Sequence, residues 1–376
     1  MERNPFIYGG EVCGEDFWNR EKERGDLKLD ISNCQKVVVF SKRRLGKTSL
    51  VKEVLRTLPE KKFISAYADL YPTNSLDDFV NRYASAMAHT VRGPIDKAMM
   101  EIKSVLKSFT PALTIDDDGK PVFTLDFGRR AKTESVLEEV LEAFPAYCSK
   151  KGKQGVFVLD EFQQIASYDD NHKLEATLRS HFQTHKNVSY IFLGSKKHLL
   201  MEIFSAPNRP FFHSSKMLPL GDIDRQVMIE CVEDRFKKTN CKIGRAEAEY
   251  LVVQAETHIY YTQRLAHTVW NIAVTLDHNV DKKIVDEAFK TIISESSDYF
   301  RSLCELLTPH QLNALRVAAH LEEGERVFSK DFLTKHNWQK DSLKQALDTL
   351  VEKDMLSRED GRYKIDDIFF RKWLIE

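Results

Sequence analysis

Apolar runs separated by polar stretches predict a sheet in the first 220 residues of the chain. Residues 37–40 and 156–159 are uninterrupted apolar runs, and residues 188–193 are apolar apart from Ser189, which is typical of strands buried on both faces of a parallel sheet. Residues 62–70 and 217–220 are predicted as two further strands. Helical spacing is found before the first strand, at residues 15–24, and between the strands, at residues 49–55, 75–91, 95–109, 133–149 and 173–185. The alternation predicts an α/β fold with a parallel sheet.

Two stretches depart from this alternation. Residues 112–115 and 122–125 flank an Asp-Asp-Asp-Gly-Lys turn signal at 116–120, which predicts a β-hairpin inserted into the sheet domain. After Asp222, a candidate helix N-cap, the pattern becomes wholly helical. Its predicted helices are 225–238, 246–256, 259–276, 282–293 and 296–307. We interpret this second stretch as a helical bundle.

The last segment predicts a winged helix-turn-helix domain. Thr308-Pro309-His310-Gln311 combines an N-cap, a proline in the first turn and a capping-box glutamine. Helices are expected at 309–321, 330–336 and 342–353, the last two capped by Ser329 and Asp341, followed by a hairpin of 355–358 and 362–365. The aromatic residues Phe369, Phe370 and Trp373 are expected to pack on this domain.

Composition narrows the class of protein. The 376 residues are 42% hydrophobic and 30% charged, which is typical of a folded chain of two or three domains. The net charge of -1 gives no overall attraction to nucleic acid. No apolar run is long enough to span a membrane, and the N-terminus has no signal core, so we expect a cytoplasmic protein. The scattered cysteines form no zinc or disulfide pattern.

The strand at 37–40 leads into Ser41-Lys42-Arg43-Arg44-Leu45-Gly46-Lys47-Thr48 and then a helix. This is the context that a phosphate-binding loop requires. Lys47 is expected on the β- and γ-phosphates of a nucleoside triphosphate, and the Thr48 hydroxyl on Mg²⁺. The remaining predicted nucleotide contacts are Ser41, Arg43, Arg44, Leu45, Gly46 and Ser49. Ser41 replaces the usual first glycine, which predicts a slightly altered loop entrance.

Two carboxylates follow the apolar strand 156–159. Asp160 is expected to hold Mg²⁺, and Glu161 to activate the attacking water, because ligands of parallel sheets bind beyond the carboxyl ends of the strands. Ser195 ends the strand 188–193 at the same edge. It is either a catalytic residue that senses the γ-phosphate or the N-cap of the next helix.

Two further regions leave alternatives open. Phe6 and Tyr8 either line a pocket for the nucleotide base or belong to a strap that packs on the domain surface.

In the winged domain, residues 340–354 carry three lysines against four acidic residues, which is a poor match to a phosphate backbone. The wing offers Arg358, Arg362 and Lys364. Protein docking or autoinhibition is therefore favoured over DNA binding.

Six blocks occur in one order along the chain: NPFIYG, SKRRLGKTSL, VFVLDEFQ, YIFLGS, APNRPFF and YKIDDIFFRKWL. In this order they resemble the archaeal-type ATPases of the AAA+/STAND group, relatives of the Orc/Cdc6 initiators. The resemblance implies a P-loop NTPase core (residues 1–220, with the hairpin insertion at about 111–127), a helical lid (221–306) and a winged helix domain (307–376).

The resemblance also implies site roles and a function. It makes ATP or ADP the nucleotide, Asp160 and Glu161 the Walker B pair, and Ser195 a sensor. Residues 257–261 resemble the family's lid sensor but lack its Gly and Pro, so His258 is either a contact with the nucleotide phosphate or a buried histidine at the start of a helix. Arg209 is the candidate arginine finger. The predicted function is a slow ATPase switch that acts on a protein partner, with ATP-dependent oligomerisation left open. The alternative is a DNA-binding protein in which ATP is structural or regulatory.

Overall fold

The computed structural model describes residues 2–91, 95–107, 109–115, 121–127, 133–169, 172–276, 278–321, 325–359 and 361–376. They form two compact units. The sheet unit is Glu11–Asp222, and the lid–wing unit is Ile223–Glu376 together with the segment that ends at Gly10. The N-terminal segment therefore clusters with the helical part of the chain and not with the sheet. Among the described residues, no helix has the length and apolar character needed to cross a bilayer.

The sheet unit has the predicted α/β architecture. Its strands are β1 (Lys36–Phe40), β2 (Phe63–Asp69), β3 (Phe109–Ile115), β4 (Pro121–Phe127), β5 (Gln154–Asp160), β6 (Val188–Gly194) and β7 (Lys216–Pro219). Its helices are α1 (Glu21–Ser32), α2 (Lys47–Thr57), α3 (Leu76–Ala88), α4 (Ile95–Val105), α5 (Thr133–Lys150), α6 (Lys173–Thr184) and α7 (Lys197–Ser205). Within the described residues, a parallel sheet has the order β2-β5-β6-β1-β7, and β3 pairs with β4 in an antiparallel hairpin. The predicted turn at 116–120 lies outside the described residues.

Both faces of the central strands β1, β5 and β6 are buried, which explains why these strands are almost entirely apolar. Along β5, Val156 and Val158 pack into one core, and Phe157 packs into the other. On the second face, Tyr83 stacks on Phe157 with ring centroids 4.0 Å apart. Apolar side chains on both faces exclude water from the ladder and fix the register of the strands.

Two predicted helices of this unit have the wrong bounds. The helix expected at 15–24 instead begins at Glu21, because Asn19 and Arg20 adopt left-handed conformations with φ of 45° and 63°. The helix expected at 95–109 ends at Val105, because Phe109 is taken into the hairpin, where it pairs with Phe127. Both errors occur where backbone conformation or strand pairing overrides helical spacing.

The lid–wing unit is mostly helical. It contains α8 (Arg225–Lys237), β8 (Lys242–Ile243), α9 (Arg245–Gln254), α10 (Ile259–Thr275), β9 (Asn279–Val280), α11 (Lys282–Glu305), α12 (Pro309–Ala319), α13 (Lys330–Lys335), α14 (Lys340–Glu352), β10 (Ser357–Glu359), β11 (Arg362–Lys364) and α15 (Ile368–Ile375). The helices α12 to α14 and the β10–β11 hairpin are the predicted winged helix. The capping box of Thr308 and Gln311 is present, and Phe369 and Phe370 are buried in α15.

Three details of this unit differ from the prediction. The helices expected at 282–293 and 296–307 are one continuous helix, α11. Ser296 lies buried in its middle and accepts a 2.7 Å hydrogen bond from Arg264, so packing overrides the polar break in the sequence. Asp224 caps α8 in place of Asp222, and Gln339 precedes α14 in place of Asp341.

Candidate nucleotide site

The segment 41–46 connects β1 to α2 with two left-handed residues. Gly46, immediately before α2, has a φ of 84°, which glycine adopts without steric cost. Arg44 has a φ of 61°. These turns fold the segment back over the first turn of α2, whose amide groups have no partner within the helix. Backbone amides at a helix N-terminus are a ready binding site for phosphate.

The ammonium of Lys47 is buried within this loop. Its Nζ donates to the Ser41 hydroxyl at 3.1 Å and to the Lys42 carbonyl at 3.3 Å. Burial lowers the pKa of Lys47, while the charges of Glu161 and Asp160 oppose that shift. Ser41 keeps a negative φ, so the loop does not need glycine there, and its hydroxyl binds the lysine directly.

Asp160 collects three hydrogen-bond donors at the end of β5. The Thr48 hydroxyl donates to its Oδ2 at 3.1 Å, the Tyr67 hydroxyl donates to the same oxygen, and the Glu161 amide donates to Oδ1 at 2.8 Å. Burial raises the pKa of Asp160, although these donors oppose the shift. A carboxylate beside a hydroxyl is the kind of oxygen donor set that Mg²⁺ prefers, so Thr48 and Asp160 fit the metal.

Glu161 has a strained backbone and a well-held side chain. Its φ of 52° and ψ of 41° are left-handed, a conformation that concentrates at functional sites in residues other than glycine. Its Oε2 accepts hydrogen bonds from the Ser195 hydroxyl at 2.7 Å and from the Gln163 amide. The helix α7 is preceded by Lys196. The Ser195 hydroxyl therefore binds Glu161 and does not cap α7.

The strand order explains why these groups meet. β6 lies between β5 and β1, so the carboxyl ends of three adjacent strands carry Ser195, the Asp160–Glu161 pair and the phosphate loop. Ligands of open parallel sheets bind at this edge. A phosphate group above the loop would lie among a cation, two carboxylates and a hydroxyl. That arrangement can bind a nucleotide with Mg²⁺ and position a water molecule for attack.

Three residues at this edge were missed by the sequence analysis. Tyr67 lies on β2 opposite Val158, which is two positions before Asp160 on the same face of the sheet. Gln163 holds Glu161, and the buried Arg20 donates to the Leu45 carbonyl at 3.1 Å and so braces the loop. None of them has a motif of its own. Strand order and chain tracing, which single-sequence patterns do not give, bring them to the site.

The other predicted loop contacts have different surroundings. Arg43 and Arg44 are exposed, and Leu45 is buried. Ser49 is also buried, and its hydroxyl accepts the Val12 amide at 3.1 Å. The Ser49 hydroxyl thus anchors the chain that enters the sheet unit. Nucleotide contact by these four residues stays a prediction.

Phe6, Tyr8 and His258 belong to the lid–wing unit, whereas Lys47 belongs to the sheet unit. Phe6 is buried against Phe236 with ring centroids 4.9 Å apart. The rings of Tyr8 and His267 are 5.1 Å apart in an edge-on contact. His258 precedes α10 as its N-cap residue. The N-terminal segment therefore packs as a strap on the helical unit, and contact of these three residues with a nucleotide stays a prediction.

Arg209 is held inside the sheet unit. It is 8% exposed, and its guanidinium binds the carboxylates of Glu175, which is fully buried, and Glu202. Removing it would leave a buried charge without its partner, which is costly. The structure therefore argues against Arg209 as an arginine finger that reaches across an interface.

Comparison with known proteins agrees with this geometry. Residues 30–200 match the family described as AAA domain, and residues 298–376 match the family described as probable winged helix domain. An uncharacterised ATP-binding protein of Methanocaldococcus jannaschii is 24% identical over an alignment of 245 residues that covers 62% of this chain and 65% of that protein. The match thus spans slightly less than two thirds of the relative's length.

Solved structures show the same fold across the chain. The Walker-type ATPase PABY2304 of Pyrococcus abyssi has a TM-score of 0.67 at 18% identity, covering 98% of this chain and 99% of that one. Aeropyrum pernix ORC2, in ADPNP–ADP complexes, has a TM-score of 0.58 at 14% identity, covering 95% and 93%. Aeropyrum pernix ORC1, in complex with DNA, has a TM-score of 0.51 at 13% identity, covering 95% and 92%.

These similarities confirm the predicted fold class. The chain therefore has the P-loop ATPase fold, with an AAA domain at residues 30–200 and a winged helix domain at residues 298–376, and it is similar in fold to the archaeal Orc proteins.

Proposed function

We propose that this protein binds ATP with Mg²⁺ at the carboxyl edge of its sheet, hydrolyses it slowly, and uses the nucleotide state to control how its lid and winged helix meet a protein partner. The observation that carries the proposal is the hydrogen-bonded set of Thr48, Asp160, Glu161 and Ser195 beside the buried Lys47. A nucleotide-independent protein would have no need to bury these charges together.

Each side chain has one role in the proposed reaction. The phosphate-loop amides and Lys47 bind the phosphates, and Thr48 and Asp160 hold Mg²⁺, which would neutralise charge on the transferred phosphoryl group. Glu161 orients the attacking water and accepts its proton. Ser195 lies within hydrogen-bond distance of Glu161 and so couples that base to β6.

Two hydrogen bonds on one carboxylate oxygen support slow turnover. Ser195 and Gln163 both donate to Oε2 of Glu161, so at least one of these hydrogen bonds must break before this oxygen can accept a proton from water. The Gln163 side chain is 6% exposed, so it stays beside Glu161 instead of moving freely into solvent. Turnover then requires rearrangement around Glu161, which is a natural point of control by a partner.

The proposed output is movement of the lid and winged helix as one body. Within the lid–wing unit, the ring of Phe369 in α15 contacts Tyr261 of α10 and Phe289 of α11. Glu256, which lies between α9 and α10, accepts hydrogen bonds from Lys364 of the wing and from Arg371. A change transmitted to α10 would therefore carry the winged domain with it.

Charge pairing of the wing with acidic residues of the same unit supports a protein partner. Arg358 binds Asp348 at 3.3 Å, and Lys364 binds Glu256 at 3.0 Å, so these two cations of the wing already have acidic partners. DNA binding remains the second candidate because Aeropyrum pernix ORC1, a fold relative, is known in complex with DNA. Phosphate contacts weaken steeply as salt rises, which gives a direct test.

The test measures ATP turnover and duplex binding on the same preparation. We expect slow phosphate release that requires Mg²⁺. We also expect little or no binding of duplex DNA at any salt concentration. Duplex binding that falls steeply between low and moderate salt would favour the DNA-binding alternative. Tight ATP binding without turnover, even with partners added, would make ATP a structural ligand.

A cytoplasmic location and oligomerisation on ATP are part of the same proposal. Measurements of the molecular mass in solution with ATP and with ADP test the oligomerisation.

A further inference from the structure

Three side chains that can bind a metal gather at the opposite edge of the sheet unit. Glu142 lies on α5, His181 on α6, and His185 just after α6. The chain then enters β6, which runs toward Ser195 at the nucleotide edge. His185 thus precedes the amino end of a strand whose carboxyl end serves the nucleotide site. The cluster lies apart from the proposed ATPase chemistry.

The donor atoms are already close to the spacing of a metal site. Oε1 of Glu142 is 2.6 Å from Nδ1 of His181 and 3.0 Å from Nε2 of His185. One ligand atom from each of the three residues lies within 4.8 Å of the others. Tetrahedral zinc with bonds of about 2.0–2.1 Å separates its ligand atoms by about 3.3 Å. Small rotations of Glu142 and His181 would therefore make room for the ion.

His185 has the outer support that a metal-bound histidine usually has. Its ring is 5% exposed, and its Nδ1 is 2.8 Å from the hydroxyl of Tyr190, which is fully buried. When the Nδ1–H group of His185 donates a hydrogen bond to the Tyr190 hydroxyl, Nε2 carries the lone pair and faces Glu142. Such a partner on the second nitrogen fixes the tautomer and the ring orientation of a ligating histidine.

A second acidic cluster in the described part of the chain lacks these properties. It consists of Asp169, His172 and Glu175. The carboxylate of Glu175 is already bound by Arg209, and both oxygens of Asp169 accept backbone amides, from Leu174 and Glu175. The oxygens of both carboxylates therefore already accept hydrogen bonds from Arg209 or from backbone amides, so this cluster serves as the internal control.

We propose that Glu142, His181 and His185 form a zinc site that joins α5 to the start of β6. Two imidazoles and one carboxylate suit zinc and its cobalt substitute, whereas Mg²⁺ prefers oxygen ligands alone. The Glu142 side chain is 56% exposed and that of His181 is 22% exposed, so the ion enters from solvent and keeps a fourth position for water. The site is independent of the proposed ATPase function.

The test titrates Co²⁺ into the full-length protein after tag removal and dialysis against a chelator, and then displaces it with Zn²⁺. We expect one equivalent of Co²⁺ with the intense visible absorption of tetrahedral coordination, lost on addition of Zn²⁺. A thiolate-to-cobalt band would instead indicate cysteine ligands and would overturn the assignment.

Variants separate the ligands from the fold. His181→Ala should weaken metal binding by about a hundredfold or more, and Tyr190→Phe by about 10- to 100-fold, because outer partners of ligating histidines have effects of that size. His172→Ala, in the control cluster, should bind Co²⁺ like the wild type. Circular dichroism and the midpoint of urea denaturation check that every variant is folded. Wild-type protein that binds no Co²⁺, or His181→Ala protein with unchanged affinity, would overturn the proposal.

Discussion

The nucleotide edge and the seam between lid and winged domain are built in contrasting ways. At the edge, short polar side chains at the ends of rigid, apolar strands bind one another, as Thr48 and Tyr67 bind Asp160. At the seam, large rings such as Phe369 and Phe370 pack with helices far away in the sequence. Substitutions at the nucleotide edge should therefore lower activity with little change in stability. Substitutions at the seam should lower stability with little change in activity.

The largest effect on stability is expected at the seam. Phe369→Ala removes a fully buried ring that contacts Tyr261 and Phe289. We expect it to lower the free energy of unfolding of the lid–wing unit by about 3–5 kcal/mol, measured by urea denaturation. Tyr299→Ala is the control, because that side chain is 61% exposed and should change stability by less than about 0.5 kcal/mol. Equal effects of the two substitutions would contradict the contrast.

Lys47→Ala tests the opposite behaviour at the edge. Loss of a charged hydrogen-bond donor to the phosphates should weaken ATP binding by about 1.5–3 kcal/mol, or roughly 10- to 150-fold. Calorimetric titration with Mg-ATP measures the change, and the urea midpoint should stay near the wild-type value. The exposed Lys42, in the same loop, provides the control variant Lys42→Ala, which should bind ATP normally. Similar losses in both variants would mean that Lys47 has no special role.

Tyr67→Phe should shift the pH dependence of turnover. Asp160 must be ionised to hold Mg²⁺, and burial raises its pKa, so activity should fall on the acid side at a higher pH than for an ordinary aspartate. The Tyr67 hydroxyl opposes that rise. Without it, the pKa of Asp160 rises further and the acid limb of the pH–rate profile should move to still higher pH. At neutral pH we expect a loss of about tenfold or less in kcat/KM, because the Thr48 hydroxyl and the Glu161 amide still donate to Asp160.

A profile for Tyr67→Phe that overlays the wild type, or moves toward lower pH, would show that this hydroxyl does not support Asp160.

The smallest effect is expected where the seam is polar. Glu256→Gln weakens the ion pairs with Lys364 and Arg371, but the Glu256 side chain is 33% exposed, so the cost should be about 0.2–1 kcal/mol. Repeating the denaturation at high salt should shrink the difference from the wild type, because salt screens exposed charges. A cost as large as that of Phe369→Ala would mean that charge, and not ring packing, holds the seam.

Local features of the fold and the site could be predicted from the sequence, whereas contacts between distant residues could not. Strand, loop and helix at 37–55 and the strand-end pair Asp160–Glu161 are local patterns, so the sequence alone predicted the fold class and placed them at one edge. Tyr67 and Gln163 reach the site through strand order and side-chain packing, which leave no signal in one sequence. Likewise, Ser296 is an ordinary helix-interrupting residue by pattern, and only burial against Arg264 keeps α11 continuous.

The N-terminal segment is the clearest case of a long-range contact. Because this segment precedes the phosphate loop in sequence, Phe6 and Tyr8 could either line a pocket for the nucleotide base or pack as a strap on the domain surface. In the structure, the Phe6 carbonyl accepts a 2.8 Å hydrogen bond from His267 Nδ1, across 261 positions of the chain. No local pattern contains that information.

The most direct test of the account compares ATP binding with ATP turnover for the wild type and Glu161→Gln. The substitution keeps the shape of the side chain and removes the base, so we expect binding within about threefold of the wild type and turnover lower by about 10²–10⁴-fold. That result would establish the edge as a hydrolytic site. Unchanged turnover in Glu161→Gln, or a wild type that binds ATP and never releases phosphate, would contradict the account.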